Sequence, residues 1–334
     1  MPLKTLIVGA GSIGERHLRC FQQQPGVDVA LCEPNDVRRI EVAQRYNVRT
    51  AFNSLSAAAE REWDAAVVCT PAHLHIDHSL QLLANTPAIL IEKPLTTPPI
   101  DAEPLLHAVR DRTVGVAYTY RAHPAVRNVK HWIEEGELGG VYQLTVVTGS
   151  PFPKHRPAYA STYYARRETG GGAIQDAATH LFDLAHYLVG RFDWVFCDAG
   201  HQVLPNVDVE DTAHVIGRAN GHQVMVSIAV NQFMAPYEVT VHVNGDLATA
   251  RLDLHLQRYG LIRQTDFDWT WHEAPIRERD DLFLNQAALF LDAVAGNRPV
   301  ACTVAEAQHS FETNVAALKS MASGDKVRVN GVLR

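Results

Sequence analysis

Two stretches of this sequence space charged residues so that they could handle a proton. The run AILIEKPL, Ala88 to Leu95, carries four apolar residues into Glu92 and Lys93 and then stops at Pro94. Burying two charges at the end of an apolar strand is costly unless the strand opens onto a site. In an open parallel sheet, ligands bind beyond the carboxyl ends of the strands. Pro94 cannot donate to a ladder and biases Lys93 toward an extended backbone, so pairing ends there and the ammonium can project over the edge. Lysine is a compact cation whose pKa drops readily on burial or beside another positive charge, which suits it to steadying a developing alkoxide or sharing a proton. Taken alone, EKP reads more readily as a surface salt bridge at a strand end.

The second stretch, ETGGGAIQDAATHLFDLAHYLVG, opens on three glycines and then turns strongly helical. Asp176 and His180 are four apart and Asp183 lies three further on, so all three are expected on roughly one face, with Leu181, Leu184, Ala185 and Leu188 supplying the packing side. A carboxylate one turn before an imidazole can orient it or share a substrate hydroxyl with it, and histidine is the natural proton acceptor at neutral pH. Spacing alone leaves a core histidine with an intrahelical charge pair equally open.

A third stretch, GAGSIG, Gly9 to Gly14, points to a bound dinucleotide. It fits GxGxxG, follows an apolar strand, opens a helix and precedes Glu33 at the end of a second strand. Gly9 permits the tight turn, Gly11 lets the backbone approach a pyrophosphate, and Gly14 allows close helix packing. Ser12 and Ile13 lie in the first helical turn, whose amides face the phosphates. Glu33 would accept from the adenosine ribose hydroxyls and repel a 2'-phosphate, which favours NAD; Arg38 and Arg39 keep NADP possible.

Further candidates lie in loops. The segment SPFPKHRPAYASTYYARRE, Ser150 to Glu168, mixes rings and cations as a substrate-covering segment would, with His155, Arg156, Tyr159 and Tyr163 able to hydrogen bond or stack on a polyol; an ordinary solvated loop is the competing reading. In HLHIDH, three close histidines lack a carboxylate partner and the HExxH layout, so no metal is expected and cofactor contact by His75 is preferred.

The elements that position these residues divide the chain. Up to about residue 120, near-continuous apolar strands (LKTLIV, VDVALC, WDAAVVC, AILIE, TVGVA) alternate with helical stretches such as DAEPLLHAVRD, which indicates a doubly wound parallel sheet covered on both faces. From 121 to 334, after the helical stretch HPAVRNVKHWIEEGELGG, short alternating strands dominate, with hairpin signals at Asn220/Gly221 and Asn244/Gly245 and two closing helices. The expected fold is α/β: an N-terminal doubly wound parallel domain, 1–120, and a C-terminal α+β domain, 121–334, with antiparallel pairing. The 334 residues carry a net charge of -7, which offers no field for nucleic acid or anionic lipid. Five scattered cysteines form no CxxC pair, and no apolar run reaches the ~20 residues of a membrane span, so a reduced, cytoplasmic protein is expected.

Through GAGSIGERH, CTPAHLH, IEKPL, YRAHP and GGGAIQDAATHLFD, in that order between Gly9 and Asp183, the chain resembles the glucose-fructose oxidoreductase/inositol dehydrogenase/rhizopine catabolism (Gfo/Idh/MocA) family. The resemblance implies that Lys93, Asp176 and His180 form a catalytic trio. It places Thr70, Pro71, His75 and Glu92 on the nicotinamide side and Arg121 near an interdomain cleft. It also implies that the first domain is a Rossmann domain and that the second bears a large, mainly antiparallel open sheet that often forms the oligomer interface, hence a homodimer or homotetramer. The glycine common after the family's aspartate is Ala178 here, and NTPAI replaces the usual residues before the EKP strand. The expected activity is hydride transfer between NAD(P) and a secondary hydroxyl or ketone of a sugar, cyclitol or related polyol. The alternatives are a dinucleotide-binding sensor without turnover, and an NAD-dependent hydrolase or dehydratase with internal redox cycling.

Overall fold

The computed structural model describes residues 2–98, 100 and 102–333. Met1 and Arg334, the outer ends of the two expected domains, and Asp101, at the start of one expected helix, lie outside them. The chain forms two compact units, one of Met1–His123 with Ile276–Gln308, the other of Pro124–Pro275 with His309–Arg334.

In the first unit β1 (Leu3–Val8), α1 (Ser12–Gln22), β2 (Val27–Cys32), α2 (Asp36–Arg45), β3 (Ala51–Phe52), α3 (Leu55–Ala59), β4 (Ala65–Val68), α4 (His75–Leu82), β5 (Ala88–Glu92), α5 (Glu103–Ala108) and β6 (Thr113–Ala117) follow one another. The six strands are parallel, in the order β3-β2-β1-β4-β5-β6. Every residue of β4 and β5 is buried, because helices shield both faces of the sheet. Leu6, Val8, Ile89 and Ile91 pack on one face with Leu82 and Leu105, and Ile7, Leu31, Val67 and Leu90 on the other with Leu18 and Phe21. β3 and α3, two and five residues long, are too short to show a period in the sequence.

The second unit contains α6 (Pro124–Glu134), β7 (Val141–Gly149), the single turn α7 (Phe152–His155), a π-helical stretch over Ala173–Ala178 that leads into α8 (Thr179–Val189), then β8 (Phe192–Gly200), β9 (Thr212–Ala219), β10 (Val224–Asn231), β11 (Glu238–Gly245), β12 (Ala248–Asp253), β13 (Arg258–Arg263) and β14 (Thr270–Glu273). The chain then runs through α9 (Arg279–Val294) and α10 (Val304–Ser323) to β15 (Val327–Arg328). Nine strands pair in the order β14-β13-β12-β11-β7-β10-β9-β8-β15, antiparallel except for β7 with β10. Residues alternate between buried and open along β9 and β10, as in a sheet with one covered face. Asn220 and Gly221 form the β9–β10 turn with positive φ. Gly245, expected in a turn, instead ends β11, and a Cβ there would lie 2.0 Å from the Leu138 carbonyl oxygen; its glycine serves a close backbone approach, and the turn falls at Asp246 and Leu247.

A single division at residue 120 would assign residues 276–308 to the second unit. They pack with the first instead: Ala287 and Phe290 of α9 complete the core around Phe21 and Leu90, while Cys302, Val304 and Ala307 join the opposite core around Leu105 and Val116. Asp280 clamps α9 to α1, accepting from Arg16 at 2.9 Å and from Arg19.

Candidate active site

In the first unit the chemistry-bearing residues gather where β1, β2, β4 and β5 end. The loop after β1 turns at Gly9 (φ 92°), and its neighbours leave no room for a side chain. A Cβ on Gly14 would sit 1.9 Å from the Gly9 carbonyl oxygen, and one on Gly9 would sit 2.8 Å from that of Cys69. Gly11 is the contrast: nothing lies within 4 Å of where its Cβ would be. α1 therefore starts beside open space, and no side chain caps its first amides. That is the cradle a pyrophosphate fills.

Glu33, buried just after β2, accepts the Ala10 N–H at 2.8 Å and the Asn35 N–H at 2.9 Å. Two acceptor positions of its carboxylate remain for ribose hydroxyls. Arg39 donates to the Glu33 carbonyl at 3.0 Å and pairs with Asp36, while Arg38 lies 3.7 Å from the Glu33 carboxylate with half its side chain exposed. Gly9, Gly11, Ser12, Ile13, Gly14 and Glu33 thus fit a dinucleotide. A depression of about 490 Å³ lined by Lys4, Trp63, Asp64, Pro87 and Arg112 lies at the opposite edge, where the strands begin.

At the end of β5, Glu92 is buried and Lys93 half-buried, and the Lys93–Pro94 peptide is cis. One Glu92 oxygen accepts the Lys93 backbone N–H at 3.0 Å; the other lies 2.6 Å from Nε2 of His17, a residue absent from the sequence-based candidates. Its signal was available: His17 follows Gly14 by three residues, on the same buried stripe of α1 as Leu18 and Phe21.

Two expected cofactor contacts are corrected. His75 is buried between two carbonyls, Nδ1 2.9 Å from Pro94 O and Nε2 2.8 Å from Thr70 O, so it staples the end of β4 to the end of β5 rather than presenting its ring to a ligand. Burial lowers its pKa although both carbonyls oppose this, so the ring is neutral and donates to one of them. Thr70 and Pro71 occupy the turn that His75 and His78 support, with His78 Nδ1 3.1 Å from Thr70 Oγ1. Arg121 is 2% exposed, and its guanidinium donates to Ala301 O at 3.0 Å and Glu306 at 2.6 Å, a buried tie to the start of α10.

In the second unit the three glycines bend the chain into the π-helical stretch. Gly172 (φ 94°) is pressed against a buried carboxylate, its Cβ position 2.4 Å from Glu210 Oε1. That same oxygen accepts the Ile174 N–H at 3.1 Å, and Arg167 pairs with Oε2 at 3.1 Å. Glu210 was missed in the sequence because it acts from 36 residues away. Burial raises its pKa despite these donors. Asn314 donates to Ile174 O at 2.8 Å, serving a carbonyl of this widened turn; such π turns are frequent at functional sites.

The stretch carries Asp176, 7% exposed, whose Oδ1 accepts the Tyr163 hydroxyl at 2.7 Å and whose Oδ2 lies 3.6 Å from Arg156. Arg156 also donates to the Tyr163 oxygen at 3.0 Å. Desolvation, and next the Asp176 carboxylate, push the Tyr163 pKa well above the ordinary phenol value, so it remains a neutral donor. His180, half-buried, follows one turn later in α8. Asp183 leaves this set: it is fully buried and accepts from Ser310 at 3.3 Å, because the α-helical turn after Thr179 rotates it into the core. Tyr159, expected to touch substrate, is corrected as well. Its ring packs with Phe152 and Tyr164, and its hydroxyl donates to Pro205 O at 2.9 Å. His155 is exposed, its ring 6.5 Å from that of Tyr237.

Comparison with known proteins agrees with this geometry. The description "oxidoreductase family, NAD-binding Rossmann fold" matches residues 3–120, and "GFO/IDH/MocA C-terminal domain" matches residues 126–251. Levoglucosan dehydrogenase of Pseudarthrobacter phenanthrenivorans is 27% identical over 57% of the chain and 52% of its own length, so the chain spans about half of that relative. Inositol 2-dehydrogenase of Rhizobium meliloti is 28% identical over 68% of each. The solved structure of levoglucosan dehydrogenase in complex with NADH and levoglucosan shares the fold, with a TM-score of 0.87 at 20% identity over 99% of this chain and 100% of that one. The chain belongs to the Gfo/Idh/MocA family of oxidoreductases with an NAD-binding Rossmann domain.

Proposed function

We propose that this protein transfers a hydride between NAD and a secondary hydroxyl or ketone of a sugar, cyclitol or related polyol. The observation that carries the reading is Asp176: a carboxylate almost wholly buried, accepting from a phenol and 3.6 Å from a guanidinium, one turn before a half-buried histidine. A side chain placed at such desolvation cost is suited to gripping a hydroxyl.

Gly9, Gly11, Ser12, Ile13 and Gly14 hold the pyrophosphate and Glu33 the adenosine ribose, with Thr70, Pro71 and Glu92 on the nicotinamide side. When bound, the nicotinamide supplies the two-electron chemistry. Lys93 and Asp176 hold the reacting oxygen, and His180 takes its proton in oxidation or returns it in reduction. Arg156 and Tyr163 border the substrate beside Asp176, and His155 lies on the same loop. Glu33 favours NAD; Arg38, half exposed, is the residue that would adapt to NADP.

The protein is further proposed to be a cytoplasmic homodimer or homotetramer. Phe196, Ile216 and Met225 lie on one face of the nine-stranded sheet, the latter two about half exposed, a surface suited to a second copy. No helix among the described residues is long and apolar enough to cross a membrane.

The test is a panel of sugars, sugar acids and inositols assayed with NAD and NADP by absorbance of the reduced nicotinamide. Net NADH formation with one of them is expected. Substrate consumption without net NADH would move the reading to an internally redox-cycling hydrolase or dehydratase. Ligand binding without any turnover would move it to a sensor.

A further inference from the structure

His17 and His75 are buried on either side of Lys93. His17 is fully buried on α1, its ring edge-on to Phe283 at 5.3 Å and tilted to Phe21 at 6.2 Å. Among the described residues its Nδ1 has no hydrogen-bond partner, so its polar contact is Nε2 at 2.6 Å from Glu92 Oε1, and Nε2 is the nitrogen that donates to the carboxylate. The other Glu92 oxygen takes the Lys93 N–H. On the far side of Lys93, the Pro94 carbonyl lies against His75. A buried carboxylate stripped of a donor must protonate or move toward water, and either change would disturb the backbone N–H it holds.

We propose that His17 is a positioning residue for the reaction. By donating to Glu92 it fixes that carboxylate and, through it, the backbone from which the Lys93 side chain projects. The helix that begins at the glycine cradle thus sets the far end of the same cofactor site. The inference rests on the assignment of Glu92 to the nicotinamide side and of Lys93 to the reacting oxygen.

The experiment compares His17→Phe, which keeps the ring packing and removes the donor, with His17→Gln, which keeps a donor, each alone and combined with Glu92→Gln. NAD affinity is read by calorimetry and turnover by the nicotinamide absorbance. With thermal midpoints showing folded protein, His17→Phe is expected to weaken NAD binding and lower kcat about tenfold or more, the size of coupling common for contacting buried groups. His17→Gln should recover most of both. In the Glu92→Gln background His17→Phe should cost less than about threefold, because an amide carries no charge that demands the donor. Equal losses in both backgrounds, or a His17→Gln protein as impaired as His17→Phe, would overturn the proposal. If His17→Phe does not fold, Glu92→Gln decides: NAD affinity and kcat both unchanged there would show that the carboxylate His17 holds does not matter, and would overturn the proposal. Should no polyol be turned over by the unaltered protein, the functional reading fails while the calorimetric cycle still decides the role of His17.

Discussion

The two regions that carry the candidate catalytic residues, one in each unit, are built in opposite ways. Lys93 stands on a strand end braced from beneath by groups that see no solvent: His17 is fully buried, and Glu92 nearly so. Asp176 is equally buried, but its braces come from a surface loop, with 39% of the Arg156 side chain and 46% of Tyr163 exposed. Hydrogen bonds made away from water resist exchange with solvent, whereas a half-exposed brace competes with it. The strand end is therefore preset, and the loop side adapts.

Several substitutions would break or sharpen this contrast. The largest effect is expected from Lys93→Met: near-complete loss of turnover with NAD binding retained in a calorimetric titration. Persistent activity would return EKP to a strand-end ion pair. Next, His180→Ala should cost at least about 100-fold in kcat, the lower end of general acid–base help, without change in the thermal midpoint. Unchanged turnover on the true substrate would remove His180 from the mechanism. Tyr163→Phe, which strips one donor from Asp176 and leaves Arg156 in place, should cost about tenfold in kcat/KM, less than losing either reacting group, because water can replace a half-exposed phenol. A loss as large as that of Lys93→Met would erase the contrast between preset and adaptable sides.

The smallest effect concerns support of α1. Arg19 holds the Asp280 carboxyl below the usual range, with Arg16 assisting. A depressed carboxylate pKa contributes stability that is present above the unfolded value and lost as pH falls through the folded one. Asp280→Asn should therefore lower stability at pH 7 by about 1 kcal/mol, the scale of a partly exposed ion pair. The gap between the thermal midpoints of the two proteins should begin to close below pH ~4, the unfolded aspartate value, and vanish once pH falls below the lower folded value. A gap that persists unchanged in acid would assign the cost to packing.

Much of the fold was legible because its signals are local. β4 and β5 read as buried parallel strands since no polar residue interrupts them, and GAGSIG with Glu33 lies within one βαβ span. The second sheet announced itself through short alternating strands: Val239, Val241 and Val243 of β11 are buried, although Tyr237 before them is exposed and Thr240 between them is buried too. What local pattern could not supply were partners distant in sequence. Tyr159 has the composition of a substrate residue, yet Pro205 takes its hydroxyl; Asp183 has the spacing of a site residue, yet Ser310 takes its carboxylate. The return of α9 to the first unit is of the same kind, since an amphipathic helix can cover any apolar surface that is open to it.

The sequence by itself determined which residues are chemically able: a glycine turn only glycine can make, a proline that stops a strand just after two charges, and an aspartate one turn from a histidine. Periodicity and backbone sterics act over a few residues, so a single chain segment suffices to reveal them. Only the tertiary structure decided which of those able groups are engaged elsewhere. Burial leaves each polar atom to the partner that packing brings to it, and that partner is chosen by the whole fold.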